Sequence, residues 1–450
     1  SEYKTTHTHP EVQELTDRVA GTFGLVLFGV TLVGVIAAPV VVWIFAPGFS
    51  THATKYELTV QMLRVTFPYL MFISLTAFAG GILNTYGKFG VPAFTPVLLN
   101  IVMIASVIWL APHLSRPGMA LAWGVFIAGV VQLAFQLPFL KRIRLLPRPR
   151  LAQGHEAVSR IMRLMLPSLF GSSVSQINML VDTLIASFLV TGSVSWLYYA
   201  DRIMEFPLGV FSIALGTVIL PHLSQHFAAK SQLGFSATMD WALRLTTVMV
   251  MPAAVGLLLL AGPILAALFN YGAFDATATR MSAAALMTYS LGLLSFTLVK
   301  VLAPGFYARQ DIRTPVRIGV IAVVANIVLN VLITIPWAKY GFTAPHAGLA
   351  LSTSLAAFLN AGLLYRGLRR DGVYRPAPGW RPLLLRVLIA NLVMGGVLWW
   401  GVHRLDRWFA RDALQRGGWL AFWIVLAMLI YFGVLFLSGF RIQHLRSNDA

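Results

Sequence analysis

Asp201, Arg202 and Glu205 stand at the head of a long apolar run, and charge set that deep in a lipid-compatible segment normally faces an aqueous cavity, because hydrocarbon penalises it heavily. Asp201 and Glu205 are one helical turn apart with Arg202 beside them, so one helix can turn an acid pair and a cation toward the same cavity. The chemistry this suits is the passage of a charged solute, since the guanidinium fork matches phosphate or carboxylate oxygens. A structural ion pair within the helix is the plainer alternative for Arg202. Asp201 and Glu205 either hold Arg202 in place or bind ions or protons. Asp182 is a second acid inside an apolar run, Asn326 and Asn330 share a face of a later helix, and Thr353 lies on the next. Oxygen donors of this kind suit a hard monovalent cation, while hydrogen bonding between helices also accounts for the amides.

The elements that must carry these residues are membrane helices. Of 450 residues, 58% are hydrophobic and 11% charged, a balance that no water-soluble core of this size needs. About twelve apolar segments of spanning length follow one another, roughly at 20–45, 58–82, 92–113, 117–140, 159–190, 195–228, 238–268, 279–306, 314–338, 344–370, 383–403 and 418–439. The formal charge of +18 does not point to nucleic acid, because the basic residues gather in alternate connections. Lys141 to Arg150, then Arg309 to Arg317, Arg366 to Arg381, and Arg441 with Arg446 form these clusters. The positive-inside rule makes them cytoplasmic and places both termini inside. The loop with Arg404, Arg407, Arg411 and Arg416 departs from the rule. Contact with anionic membrane lipid is the lesser reading of the basic surplus. No cysteine is present, which removes disulfides, thiolate metal sites and a cysteine nucleophile. Ser1 to Arg18 reads as a polar cytoplasmic lead-in rather than a cleavable signal. Arg64, Arg244 and Lys300 read as snorkelling side chains. Trp43, Trp196, Trp337, Trp408 and Trp419 read as interfacial anchors. Pro167 with Gly171, Ser172 and Ser173 predicts a kink.

A short pattern recurs. Tyr86, Lys88 and Thr95-Pro96 match Tyr307, Arg309 and Thr314-Pro315 in outline, at an offset of about 220 residues, the length of six spans with their loops. The chain therefore reads as two related lobes: 1–140 with four helices, a basic cytoplasmic linker at 141–158, and 159–370 with six. A C-terminal helix pair and cytoplasmic tail follow at 371–450. The repeat places the start of the first lobe before Ser1, two helices short.

Gly81 to Ile101 and Gly192 to Pro207 strongly resemble two signatures of the MurJ (MviN) lipid II flippases of bacteria, and the likeness runs along essentially the whole chain. The resemblance implies an all-α inner-membrane protein with fourteen helices: two six-helix lobes, pseudo-symmetric, and a C-terminal pair bordering a groove for a lipid tail. On that alignment this chain begins just after the family's second helix, with the expectation that it does not flip lipid by itself. Lipid II is the implied partner, bound by Arg202 with Ser195, Asp201 and Glu205, and the protein is expected to work as a monomer. Alternating access is the implied mechanism, the lobes rocking about a central site. No cofactor is expected. Sodium or proton coupling and the membrane potential remain as driving forces, with Asp182, Asn326, Asn330 and Thr353 as the coupling set, although one asparagine stands where some family members carry an acid. The nearest rival is a cation-coupled multidrug or polysaccharide-lipid exporter of the same superfamily. The distant one, a membrane glycosyltransferase, would require acidic metal-binding motifs that the sequence lacks.

Overall fold

The computed structural model describes residues 8–150 and 176–441, without the side chains of 212–218, so Pro167 and Gly171 to Ser173 lie outside the described residues. The chain divides into two compact units, Ser1–Ser172 and Ser173–Ala450. In the first, α1 (His9–Ile36), α2 (Ala38–Phe45), α3 (Ala53–Thr66), α4 (Tyr69–Thr85), α5 (Gly90–Ala105) and α6 (Met119–Arg142) follow in order. In the second come α7 (176–187), α8 (Ser193–Ala228), α9 (Gln232–Leu268), α10 (Ala276–Tyr307) and α11 (Arg313–Leu329). They are followed by α12 (Ile335–Lys339), α13 (His346–Arg370), α14 (Trp380–Val402), α15 (Asp406–Phe409) and α16 (Ala413–Leu437). Among the described residues 10 helices are long and apolar enough to span a bilayer. The expected all-α membrane architecture is thus observed.

Part of the polar lead-in is already helical. Helix α1 already begins at His9, where Thr8 and Glu11 form a capping box that satisfies orphan N–H groups of the first turn. Its early polar residues then find partners in the segment after α6. Gln13 Nε2 donates to Leu146 O at 3.0 Å, and Arg148 N donates to the buried Asp17 Oδ1 at 2.8 Å. A Cβ at Gly21 would sit 2.2 Å from Arg150 O, so only glycine lets this strap lie against α1.

In the second unit α10 is the central helix, and small residues make that possible. A Cβ at Gly292 would lie 2.9 Å from Ser354 Cα, and the close approach lets Ser354 Oγ donate to Thr288 O at 2.8 Å and Thr288 Oγ1 to Ala347 O at 3.1 Å. Without a hydrophobic force between helices in lipid, such contacts and hydrogen bonds hold the bundle, at about 0.6 kcal/mol per bond.

Helices α14 and α16 pack on α9 through Val387, Met394, Trp423 and Tyr431. One contact repairs a proline defect. Pro252 has no N–H to offer Val248 O four residues earlier, and Tyr431 Oη donates to that carbonyl at 2.7 Å. The loop that broke the charge alternation is explained in part by the same junction. Arg416 is buried and donates to Trp408 O (3.0 Å), Ala266 O (3.2 Å), Asn270 O (2.9 Å) and Phe409 O (3.1 Å), so it caps the end of α9. Arg411 lies over the Trp408 and Trp419 rings. Trp408 is not an interfacial anchor: it is 2% exposed and belongs to this core.

Arg244 does not snorkel. Its Nε donates to Asp240 Oδ2 at 2.6 Å and its Nη2 to Pro378 O at 2.7 Å, with Trp380 beneath it. Asp240 Oδ1 also accepts from Tyr374 Oη (2.8 Å), Ala377 N (3.1 Å) and Trp380 Nε1 (2.7 Å). This junction ties α9 to the connection leading into α14. Arg64 and Lys300 are exposed, consistent with snorkelling.

Outside the spans, Asp311 Oδ1 accepts from Thr314 N at 3.0 Å at the start of α11. Hydrogen bonds from the Thr314 side chain and backbone hold its carboxyl below the usual carboxylate range. A lowered folded-state pKa means that the contribution is present above the ordinary carboxylate pKa and is lost as pH falls through the folded one. Asp311→Ala is expected to cost about 1 kcal/mol at neutral pH, and the gap to the parent should close in acid. Parallel thermal melts in detergent across pH check this; a gap independent of pH would refute it.

Candidate functional site

Helix α8 opens at Gly192, whose φ of 107° favours glycine, and then presents Ser195, Tyr198, Arg202 and Glu205 at helical spacing along one exposed stripe. Leu197, Ala200 and Met204 on the other side enter the core of the unit. Within the stripe Arg202 Nη1 donates to Glu205 Oε2 at 2.6 Å, both side chains being about half exposed (54% and 53%). The guanidinium lies 5.1 Å from the centre of the Tyr198 ring. Arg202 is therefore held by Glu205 and Tyr198 while its side chain stays half exposed. Asp201 is only partly exposed, and its carboxylate lies within electrostatic range of Glu205 and Arg202 on one side and of Asp182 and Tyr289 on the other. Of the two acids, Glu205 is the exposed one and bonds Arg202 directly, while Asp201 is the less exposed and remains in electrostatic range of both.

The four oxygen-bearing residues of the second set do meet. Asn330 Nδ2 donates to Asp182 Oδ1 at 2.6 Å and to Asn326 Oδ1 at 3.0 Å. Asn326 Nδ2 donates to Thr353 Oγ1 at 3.0 Å, and Thr353 Oγ1 reaches Asp182 Oδ2 at 3.4 Å. Asn330 spends its amide N–H groups within the cluster and Asn326 spends one, whereas Asn330 Oδ1 is buried without a partner, as is Asn178 Oδ1 one turn before Asp182 on α7. One carboxylate with neutral oxygens and an unsatisfied acceptor is a donor set that fits a hard monovalent cation and falls short of the charge a divalent one calls for. Asn330 opens a π turn, Asn330–Thr334, at the end of α11. Such turns, with one residue more than the α spiral, are frequent at functional sites.

Sequence reading missed a polar group in the first unit. Gln132 Nε2 donates to Thr95 O at 3.1 Å, Gln136 Nε2 to Thr95 Oγ1 at 2.9 Å, and Tyr69 Oη to Gln132 Oε1 at 3.3 Å. These residues back a groove of about 420 Å³ between α4, α5 and α6. Gln132 and Gln136, one turn apart in an apolar helix, were the available signal. The first unit also has a π turn, Ser106–Leu110, at the end of α5. Among the described residues no group of three or more His, Cys, Asp or Glu is placed to hold a metal ion.

A family model described as lipid II flippase MurJ matches residues 1–416. The "Probable lipid II flippase MurJ" of Haemophilus influenzae is 44% identical over 462 residues, covering 100% of this chain and 89% of the relative. The "Lipid II flippase MurJ" of Burkholderia cenocepacia is 41% identical over 454 residues, covering 99% and 86%. Among solved structures, a lipid II flippase MurJ in an inward closed conformation aligns with a TM-score of 0.79 at 24% identity, over 99% of this chain and 87% of the other. An inward-facing MATE family multidrug transporter of the MOP superfamily aligns with a TM-score of 0.63 at 18% identity, over 79% and 81%. At those identities the two structures speak for the fold alone.

Proposed function

Since the chain belongs to the MurJ family of lipid II flippases, we propose that it carries the headgroup of lipid II across a bacterial inner membrane by way of the exposed stripe on α8. The cargo joins a pyrophosphate to a sugar-peptide head and a polyprenyl tail. Spontaneous crossing would drag its charges through hydrocarbon, at a cost of many kcal/mol. Arg202 supplies the compensating charge. Its half-exposed guanidinium, restrained by Glu205 and Tyr198, supports this reading most directly. The pyrophosphate oxygens compete with Glu205 for the fork, and Ser195 adds a hydroxyl donor on the same stripe. The site is presented in turn to the two sides of the membrane while the tail stays in lipid, and the clusters of basic residues support a cytoplasmic side for both termini.

Asp182, Asn326, Asn330 and Thr353 form the coupling site for a monovalent cation, with Asp201 between that site and the stripe. A cation entering there is cargo. It neutralises Asp182 and satisfies Asn330 Oδ1, so its arrival and departure change the field that Asp201 and Arg202 experience. Reconstitution in proteoliposomes with labelled lipid II, sodium gradient and membrane potential set separately, tests both parts. Asp182→Asn is expected to flip lipid II at the rate the parent shows without the coupling ion, and to be indifferent to that ion. A variant that keeps both full rate and full ion response removes the coupling assignment.

A further inference from the structure

We propose that the groove between α9, α10 and α14 is a binding site for an anionic phospholipid of the surrounding bilayer, with an acyl chain in the groove and the headgroup phosphate on Arg280 and Arg404. The groove encloses about 460 Å³. Leu258, Leu259, Met287 and Val402 form apolar walls, and the small Gly262, Ala283 and Ala284 give it depth. Leu405 closes one end, its Cδ1 standing 2.8 Å from where a Cβ on Gly262 would be.

The same end carries the charge. Arg280 lies near the start of α10, and His403 and Arg404 follow α14 directly. Arg280 Nη2 is 2.6 Å from Asp406 Oδ1, yet its side chain is 56% exposed and the carboxylate 84%. A single wet carboxylate does not neutralise two guanidiniums, and each guanidinium has five donors. His403 Nδ1 lies 3.1 Å from Trp399 O, and Nε2 accepts from Arg404 Nε at 3.3 Å, so the imidazole orients Arg404. Trp399 and Trp400 are exposed beside it, as aromatic side chains are at the headgroup level. An apolar trough ending in cations at that level matches a lipid tail joined to a phosphate.

A second observation points the same way. The 404–416 loop holds arginines where the alternation of charge predicts few. Arg416 caps the end of α9 and Arg411 is laid over two indoles. Arg280 lines the groove, its guanidinium 5.5 Å from the Phe409 ring centre, Arg404 stands between the lining residues His403 and Leu405, and both arginines remain exposed.

Native mass spectrometry of the detergent-solubilised protein, titrated with phosphatidylglycerol or phosphatidylethanolamine of equal chain length, tests the site. The parent should retain one phosphatidylglycerol in preference to phosphatidylethanolamine by about tenfold. Arg280→Gln combined with Arg404→Gln should erase that preference while lipid is still held. Ala284→Trp, which fills the trough, should lose the retained lipid. A preference that survives both changes in folded protein overturns the proposal, as does a retained adduct with the mass of a polyprenyl phosphate. Where the double variant fails to fold, Ala284→Trp decides.

Discussion

Arg202→Ala is expected to abolish lipid II translocation, by a factor on the order of 10² to 10³, while leaving the fold intact. Removing one partner of a charge pair made with a ligand in a desolvated setting costs roughly 2–5 kcal/mol, which sets that factor. The fold loses far less. Within the protein Arg202 contributes one half-exposed bond to Glu205, and such pairs are worth about 0–1 kcal/mol. The two magnitudes separate a transport role from a structural one. Arg202→Lys keeps the charge without the fork and should fall between the parent and alanine. Glu205→Gln should be mild, because it releases Arg202 without deleting it. Flipping in proteoliposomes, paired with a thermal melt, reads both quantities. Full translocation by a folded alanine variant would remove Arg202 from the site, and a large drop in melting temperature would return it to the role of a helix-internal ion pair.

Asp240→Ala is expected to cost about 3–5 kcal/mol and to loosen the C-terminal pair. The carboxylate is 4% exposed and accepts from Arg244, Tyr374, Ala377 and Trp380. Without it, Arg244 is left as a charge without its counter-ion, and the cost of breaking a buried pair falls in that range. Replacing Arg244 as well, with leucine, should recover part of the loss, since the stranded cation is then gone as well. Melting temperatures of the parent and of the two single and the double variants form a cycle that isolates the coupling. Additive losses would show that the junction does not act as a unit.

The two predictions differ in how far the sequence announced them. Arg202 and Asp182 stand out because a charged residue inside an apolar run has few explanations, and the ends of most helices follow from where apolar runs stop. Asp240 and Arg244 lie at the start of one apolar run and Arg416 just ahead of another, where charge is ordinary, so nothing local tells that they are buried. Their partners come from far along the chain, Tyr374 lying 134 positions from Asp240 and Ala266 150 from Arg416. The start of α1 at His9 was hidden for the same reason, since its polar turns are supported by the strap that follows α6. Gln132 and Gln136 were visible as polar residues, but their bond to Thr95 depends on how α5 and α6 pack. Periodicity reports what a segment is made of, and contacts between segments decide what its exceptional residues do.

The two π turns, Ser106–Leu110 and Asn330–Thr334, occur at nearly the same distance from the starts of their helices, Gly90 and Arg313. An inserted residue widens one turn of the spiral and puts it out of step with the α ladder, and such turns gather at functional sites. The two turns are used differently: Asn330 stands on one among amides and a carboxylate, and Ser106 stands on the other, where a Cβ on Gly124 would come within 3.0 Å. A widened turn is a place where a helix bends, so each unit holds one helix that can flex part-way along its length while the turns before it stay packed.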